Sequence, residues 1–440
     1  MFDSQQSCTD WPLPLPYDLV RLIIFSYLQY EYDCPQSICR LSLACTALAD
    51  LCRPLKFRDV TIHLGEDPHS KAQMKALFRL LDSDQARGLD ISYCVRHLRI
   101  TDDYRHPEGR YLKKPQEVDY EKLSYFLARE FRNMERLTLS LQAETWSRLP
   151  PDLSYRLRHL LARRTLHTVI ITENSHIPED YLRAVMKDIP LLQLDGDVGF
   201  QPSGSACHRR VDMSSRQCTP HQLMLKDSSR TGTNISSLLP QGPHSPFNLS
   251  RLTKLEVSTR GPHIAILNDV LDACSSTMEE LALYVATWGG LPAPLHLKNL
   301  KALKALTLAV DAEMMPYGDR IGSEAPLRFN WFVSALETCQ AVAGQLEFIG
   351  LVLRIKSYLV AEKLDWKRLD GTLTSCASIS NCALRPWSIL RIFEILVVME
   401  GNKVEEALLA EVFAPLVPGL CRRKILKVGV SSERMSFWRM

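Results

Sequence analysis

Apolar residues recur along most of this chain as apolar-x-x-apolar-x-apolar, a spacing that ends in the two-residue period of a strand. The pattern occurs at "VRHLRI" (Val95, Leu98, Ile100), "MERLTL" (Met134, Leu137, Leu139), "LHTVII" (Leu166, Val169, Ile171) and "IPLLQL" (Ile189, Leu192, Leu194). It returns at "LTKLEV" (Leu252, Leu255, Val257), "MEELAL" (Met278, Leu281, Leu283), "LKALTL" (Leu303, Leu306, Leu308) and "LEFIGL" (Leu346, Ile349, Leu351). Upstream, "DVTIHL" alternates Val60, Ile62 and Leu64, and near the end "LRIFEI" (Leu390, Phe393, Ile395) and "ILKVGV" (425–430) read as terminal strands. Helical spacing precedes most copies. In "SKAQMKALFRLLDSD" it places Met74, Leu77, Phe78 and Leu81 together, with Ser70 and Gln73 set for a capping box. Further helices are predicted in "PEDYLRAVMKD" (178–188) and "FNWFVSALETC" (329–339).

This alternation predicts an α/β protein in which each unit supplies one short parallel strand and one helix, and neighbouring units bury each other's apolar faces. That is a leucine-rich-repeat-like solenoid over residues 59–430. Its units vary from roughly 23 to 40 residues and lack the asparagine of the regular repeat, so an irregular array is expected. A generic alternating α/β protein with a parallel sheet stays open. The stretch 196–250 breaks the pattern with Gly, Ser, Pro and Gln and reads as an insertion. Within it, "HQLMLKD" (221–227) is predicted to hold one degenerate strand.

Residues 13–58 have a different period and predict three short helices. The first covers residues 16–27, with Pro16 where its missing N–H is harmless. Its Leu19, Leu22, Ile23, Tyr27 and Leu28 are more apolar surface than so small a helix can hide. The other two lie in "QSICRLSLACTALADLCRP", carrying Ile38, Leu41, Leu43, Leu48 and Leu51, with Pro54 as the expected stop. A head of this size is marginal as an independent core. Residues 1–12 are expected to be a flexible terminus and 431–440 a tail.

Composition narrows the function classes. The 440 residues carry 53 basic and 50 acidic side chains, a formal net charge of +3, which leaves no electrostatic footprint for nucleic acid or an anionic membrane surface. At 46% hydrophobic and 23% charged the chain is that of a folded protein. The opening "MFDSQQSCTDWP" lacks a secretory pattern, and no apolar tract approaches the ~20 residues of a membrane span. A soluble protein of the cytoplasm and/or nucleus is expected. The 13 cysteines sit mostly in apolar patterns and read as buried free thiols of a reducing compartment. The Asn-x-Ser/Thr triplets at Asn234 and Asn248 are then chance matches.

The chain has no glycine-rich phosphate loop, no G-x-S-x-G elbow and no H-E-x-x-H. Cys207, His208, Cys218 and His221 match no zinc-finger spacing and read as loop residues. In "YRLRHLLARR" the stripe Leu153, Leu157, Leu160 and Leu161 docks a helix, leaving Arg156, Arg158, His159, Arg163 and Arg164 on a solvated face. Asp102 and Asp103 follow a strand, where acidic loops are common. Nothing here commits to catalysis, a cofactor or a metal, so the expectation is a binding protein and not an enzyme.

Head and repeats together carry a resemblance. Leu15-Pro16, Asp18, Leu19, Leu22/Ile23 and Tyr27-Leu28 resemble the first half of an F-box, and "RLSLACTAL", with Leu41, Leu43 and Cys45, resembles its second half. Leu48 stands where the family has tryptophan, and the first helix is one residue longer than the common spacing. "PLKFRDVTI" is similar to the family's exit into the following strand, through Phe57 and Arg58. "LDWKRLDGTL" (364–373) and "VPGLCRRKILKVGV" (417–430) are similar to segments of fungal-type F-box proteins with degenerate leucine-rich repeats.

The resemblance implies a substrate receptor of a Skp–cullin–F-box ubiquitin ligase. Its docking face for the Skp-family adaptor, and through it for a cullin–RING ligase, would be Leu15, Pro16, Leu19, Leu22, Ile23, Tyr27, Leu28, Leu41, Leu43 and Leu48. A target protein would meet the strand positions that alternate with the leucines, including Arg99, Thr138, Glu256, Tyr284 and Thr307. The alternative is a repeat scaffold unrelated to ubiquitin, with the helical head as its cap.

Overall fold

The computed structural model describes residues 16, 18–20, 22–23, 35–44, 46–64, 72, 74–80, 91–102, 120–141, 145–146, 149–172, 176–185, 189–196, 199–201, 217–226, 247–260, 263–286, 293–311, 324–339, 344–354, 361–374, 387–398 and 406–430. The chain divides into two compact units, residues 1–140 with 149–160, and residues 141–148 with 161–440. The head expected over 13–58 lies in the first unit, together with the first three strands.

In that unit α1 (Pro35–Ala44) packs on α2 (Thr46–Lys56). There follow β1 (Asp59–His63), β2 (His97–Thr101), α3 (Tyr120–Leu127), β3 (Arg136–Ser140) and α4 (Pro151–Leu161). The strands are parallel in the order β1-β2-β3, with Ile62, Ile100 and Leu139 side by side. One face of each strand is buried, as the two-residue period requires. Leu123, Phe126 and Leu127 of α3 and Leu153, Leu157 and Leu160 of α4 are buried too, and Phe126 meets Phe131 edge-on at 5.0 Å. Pro54 does not stop its helix. It is exposed within α2, which runs on to Lys56, and Phe57 N–H still bonds the Arg53 carbonyl at 3.0 Å.

The second unit continues with β4 (Thr168–Thr172), β5 (His176–Pro178), α5 (Glu179–Ala184), β6 (Leu191–Asp195), β7 (Gly199–Gln201) and β8 (Gln222–Lys226). Then come β9 (Lys254–Arg260), α6 (Ile264–Ala273), β10 (Glu280–Ala286), β11 (Ala305–Asp311), α7 (Glu324–Thr338) and β12 (Phe348–Arg354). The unit closes with α8 (Trp366–Thr374), β13 (Ile392–Val398), α9 (Glu406–Phe413), α10 (Pro418–Arg422) and β14 (Leu426–Val430). Its main sheet is parallel in the order β4-β6-β8-β9-β10-β11-β12-β13-β14, and β5 pairs with β7 alone. The α/β class with a parallel sheet is therefore observed. The strand expected in 221–227 is β8, in register between β6 and β9. The helix expected over 178–188 ends at Ala184, and the capping box at Ser70 and Gln73 lies outside the described residues.

Within each unit, successive repeats are joined by one recurring device. The carbonyl before a strand accepts two amides from the turn of the next repeat. Arg58 O takes Arg96 N–H and His97 N–H, and Arg96 O takes Glu135 N–H and Arg136 N–H, at 2.8–3.0 Å. In the second unit His221, Thr253, Glu279, Lys304 and Glu347 play the same part. This holds the strands in register however long the intervening chain is. On the helix side an aromatic line, Phe329–Trp366 at 4.8 Å and Trp366–Phe413 at 5.2 Å, ties α7, α8 and α9 together. Among the described residues, no helix is long and apolar enough to cross a membrane.

Candidate functional site

The side chains that sequence reasoning singled out lie on the head and on the strand faces of the two units. In the head, Leu19 N–H and Val20 N–H both bond the Pro16 carbonyl at 3.0 Å, which starts the helix. Val20 is buried, whereas Leu19, Leu22 and Ile23, at i, i+3 and i+4, are exposed, Leu22 to 65%. Pro16 is exposed and Leu41 half-buried, and Leu43 projects from α1 with 85% exposure. Leu48 departs from the expectation. It is only 8% exposed, because with Leu51 and Cys52 it forms the inward stripe of α2 at i, i+3 and i+4. Leu15, Tyr27 and Leu28 lie outside the described residues.

The second surface is the strand face that alternates with the leucines. Of the expected target-binding positions, Arg99 is exposed, Thr138, Glu256 and Thr307 are half-buried, and Tyr284 is buried. Register places Thr172, Asp195, Lys226, Ser258 and Tyr284 in one row across β4, β6, β8, β9 and β10. The row before it runs Gln193, Met224, Glu256 and Ala282. Neighbouring members of a row are about 4.8 Å apart along the sheet. Gly196 sets the end of β6. Its φ of 88° lies in the left-handed region, and its N–H bonds the Lys226 carbonyl at 2.8 Å, keeping Asp195 beside Lys226.

Burial raises both carboxyls above the ordinary carboxylate range. Desolvation is the main cause, and it is opposed for Asp195 by Lys226 and a hydrogen bond from Gln193, and for Glu256 by Lys254 and Lys226. Lys226 thus acts on both. Lys254 itself pairs with Glu280 at 2.9 Å. Ser258 is 1% exposed, and its Oγ and Thr172 Oγ1 are buried without a hydrogen-bond partner among the described residues. Leaving a buried hydroxyl unpaired costs about 1–3 kcal/mol.

Sequence reasoning named Glu256 and Tyr284 but missed Thr172, Asp195, Lys226 and Ser258. Their signal was available: aligning the strands on their leucines puts all of them at one position of the unit. The arginine-bearing helix α4 docks through buried Leu153, Leu157, Leu160 and Leu161, as expected, with Arg156, Arg158 and Arg163 half-buried and His159 and Arg164 exposed. Asp102 donates its backbone N–H to the Ser140 carbonyl at 3.0 Å, and Asp103 lies outside the described residues. Cys218 is buried, His221 is half-buried, and Cys207 and His208 lie outside the described residues. Among the described residues, no group of His, Cys, Asp and Glu is placed to hold a metal ion. Burial pushes the Cys218 and Cys274 thiols up to about 12, which keeps them protonated and unreactive. No protein-family model matches the chain, and no curated protein matches it in sequence.

Proposed function

We propose that this chain is the substrate-receptor subunit of a Skp–cullin–F-box type ubiquitin ligase, built as an F-box-like head on an irregular leucine-rich-repeat-like solenoid. The observation that carries the reading is the exposure of Leu19, Leu22 and Ile23 on one helical face, and of Leu43 on α1. A soluble protein gains nothing by ordering these residues in water. Each large apolar side chain contributes roughly 1.5–3 kcal/mol once fully buried, so a helix-lined groove on an adaptor could hold the head firmly. The strand face would hold the target. The receptor performs no chemistry itself, since tethering alone raises the effective concentration of target lysines near the conjugating enzyme.

The test is co-purification with the Skp-family adaptor. The wild-type chain is expected to retain it and a Leu19→Asp, Leu22→Asp double variant to lose it while keeping its melting temperature, because both side chains already face water. Retention by the folded double variant would overturn the docking face.

The burial of Leu48, Leu51 and Cys52 favours a second reading, a repeat scaffold for protein–protein interaction in which the head serves as the cap that repeat arrays need. Deleting residues 1–58 separates the two. A capping head leaves the remainder insoluble, whereas a docking module comes off cleanly.

A further inference from the structure

We propose that Arg99 of β2 and Arg136 of β3 clamp one carboxylate, an aspartate or glutamate side chain, from an extended acidic segment of the bound partner. This deepens the reading of the strand face as the target surface and rests on it for the identity of the partner.

Position is the first argument. Register sets His97 opposite Arg136 and Arg99 opposite Thr138, so these outward positions form a rectangle on two adjacent strands of the first unit. Its sides are about 4.8 Å across the strands and about 6.6 Å along them, which puts the Cα atoms of Arg99 and Arg136 about 8 Å apart on the diagonal. Both side chains are exposed, and two arms of that length can converge on one group between them. An arginine fork grips both oxygens of a carboxylate. Thr61 and Thr138, on either side of Arg99, each offer a hydroxyl donor. Thr101 and Ser140, the next outward positions, are buried, so the accessible patch ends there.

Charge is the second, independent argument. Where strands begin in this fold, basic side chains pair with a carboxylate one strand away. Arg96 meets Glu135 at 3.0 Å, Lys254 meets Glu280 and Lys304 meets Glu279 at 2.9 Å, and Arg391 meets Glu347 at 3.6 Å. Among the described residues, Arg99 and Arg136 have no such partner. Asp59 is the one acid among the outward positions of β1, β2 and β3, and His97 engages it on the β1 side. With the histidines neutral, two arginines against that aspartate leave one positive charge, which one carboxylate cancels. A phosphate dianion would carry the patch past neutrality, and an ammonium would face two guanidinium groups.

The experiment titrates the full chain, by saturation-transfer NMR, with acetylated and amidated Gly-Ser-Gly-X-Gly-Ser-Gly peptides in which X is Glu, Ala, Lys or phosphoserine. The Glu peptide is expected to bind about fivefold more tightly than the Ala and Lys peptides, and no more weakly than the phosphoserine peptide. Arg99→Gln with Arg136→Gln should abolish the preference. Arg422→Gln with Lys427→Gln, which removes equal charge from the second unit, should leave it intact. No preference for Glu, tighter binding of the Lys or phosphoserine peptide, a preference that survives the arginine double variant, or one lost in the second-unit control overturns the proposal. Should the arginine double variant fail to fold, Arg99→Gln alone gives the reading. It is expected to weaken the Glu peptide about threefold, and unchanged binding overturns the clamp. Adaptor capture through the head is scored separately. Loss of peptide binding with capture intact sinks this site alone, and the reverse sinks the ligase reading alone.

Discussion

The carboxylate of Asp370 on α8 accepts the backbone N–H groups of Gly419 and Leu420, each at 2.9 Å, and so caps α10 from 49 and 50 residues away. A Cβ on Gly419 would stand 2.8 Å from one Asp370 oxygen and 2.7 Å from Thr374 Cγ2, so the close approach requires glycine. Arg423 completes the clasp, donating to the Leu373 carbonyl at 2.9 Å and the Trp387 carbonyl at 2.6 Å. We expect Asp370→Ala to lower stability by about 1–2 kcal/mol, the usual worth of a helix cap. Gly419→Ala should do comparable harm, and because both break one contact their effects should be markedly less than additive. Denaturant melts of the two single variants and the double variant check this.

Asn268 of α6 supports the segment leading into the next unit by donating from Nδ2 to the Pro294 carbonyl and accepting His296 N–H at Oδ1, both at 2.9 Å. Removing it leaves two backbone groups without their partner. Asn268→Ala is expected to lower stability by about 2–4 kcal/mol, and Asn268→Asp, which keeps only the acceptor, to recover part of that loss. Thermal unfolding followed by circular dichroism would read both.

Burial shields the thiols of Cys218, Cys274 and Cys339 as well as raising their pKa. Cys52, Cys218, Cys274 and Cys339 are buried, and among the described residues Cys218, Cys274 and Cys339 are free cysteines. Iodoacetamide applied to the native protein at mildly alkaline pH should spare these positions, whereas unfolding in guanidinium should expose all of them. Peptide mass mapping after a short pulse distinguishes the two states. Rapid native labelling of Cys218 or Cys274 would contradict the burial described here.

Asp195 and Glu256 make stability depend on acidity in a defined direction. Their folded pKa values lie above the ordinary 3.8 and 4.5, so the native state takes up these protons first. Stability contributed by the pair is then greatest below those ordinary values and is lost as pH rises through the folded ones. The melting temperature of the wild type, measured against the Asp195→Asn, Glu256→Gln variant from about pH 4 to about pH 8, should fall relative to the variant as pH rises. The opposite slope would mean that Lys226 outweighs desolvation.

The strands were legible in the chain because a leucine every second residue admits only one face to the core. Even β8, inside an otherwise loop-like stretch, announced itself through Leu223 and Leu225, both fully buried. Chain order and parallel pairing followed from helical spacing between strands. The contacts that close the fold were not legible in the same way. "LDWKRLDGTL" and "VPGLCRRKILKVGV" stood out separately, but nothing local says that Asp370 of one caps Gly419 of the other. Leu48 was misplaced because apolar spacing does not say which stripe of a short helix faces inward until its neighbours are present. Thr172, Asp195, Lys226 and Ser258 are unremarkable in their own segments and acquire meaning only when parallel register sets them side by side.

That register also acts as a vernier for anything laid across it. Strands repeat at about 4.8 Å, whereas alternate side chains of an extended peptide repeat at about 6.6 Å, so three peptide intervals span nearly the same distance as four strand intervals. A peptide crossing from β4 to β10 therefore returns to phase only at its two ends. Under the proposed reading of this face as the target surface, partner residues at those ends would be read closely and the ones between them loosely.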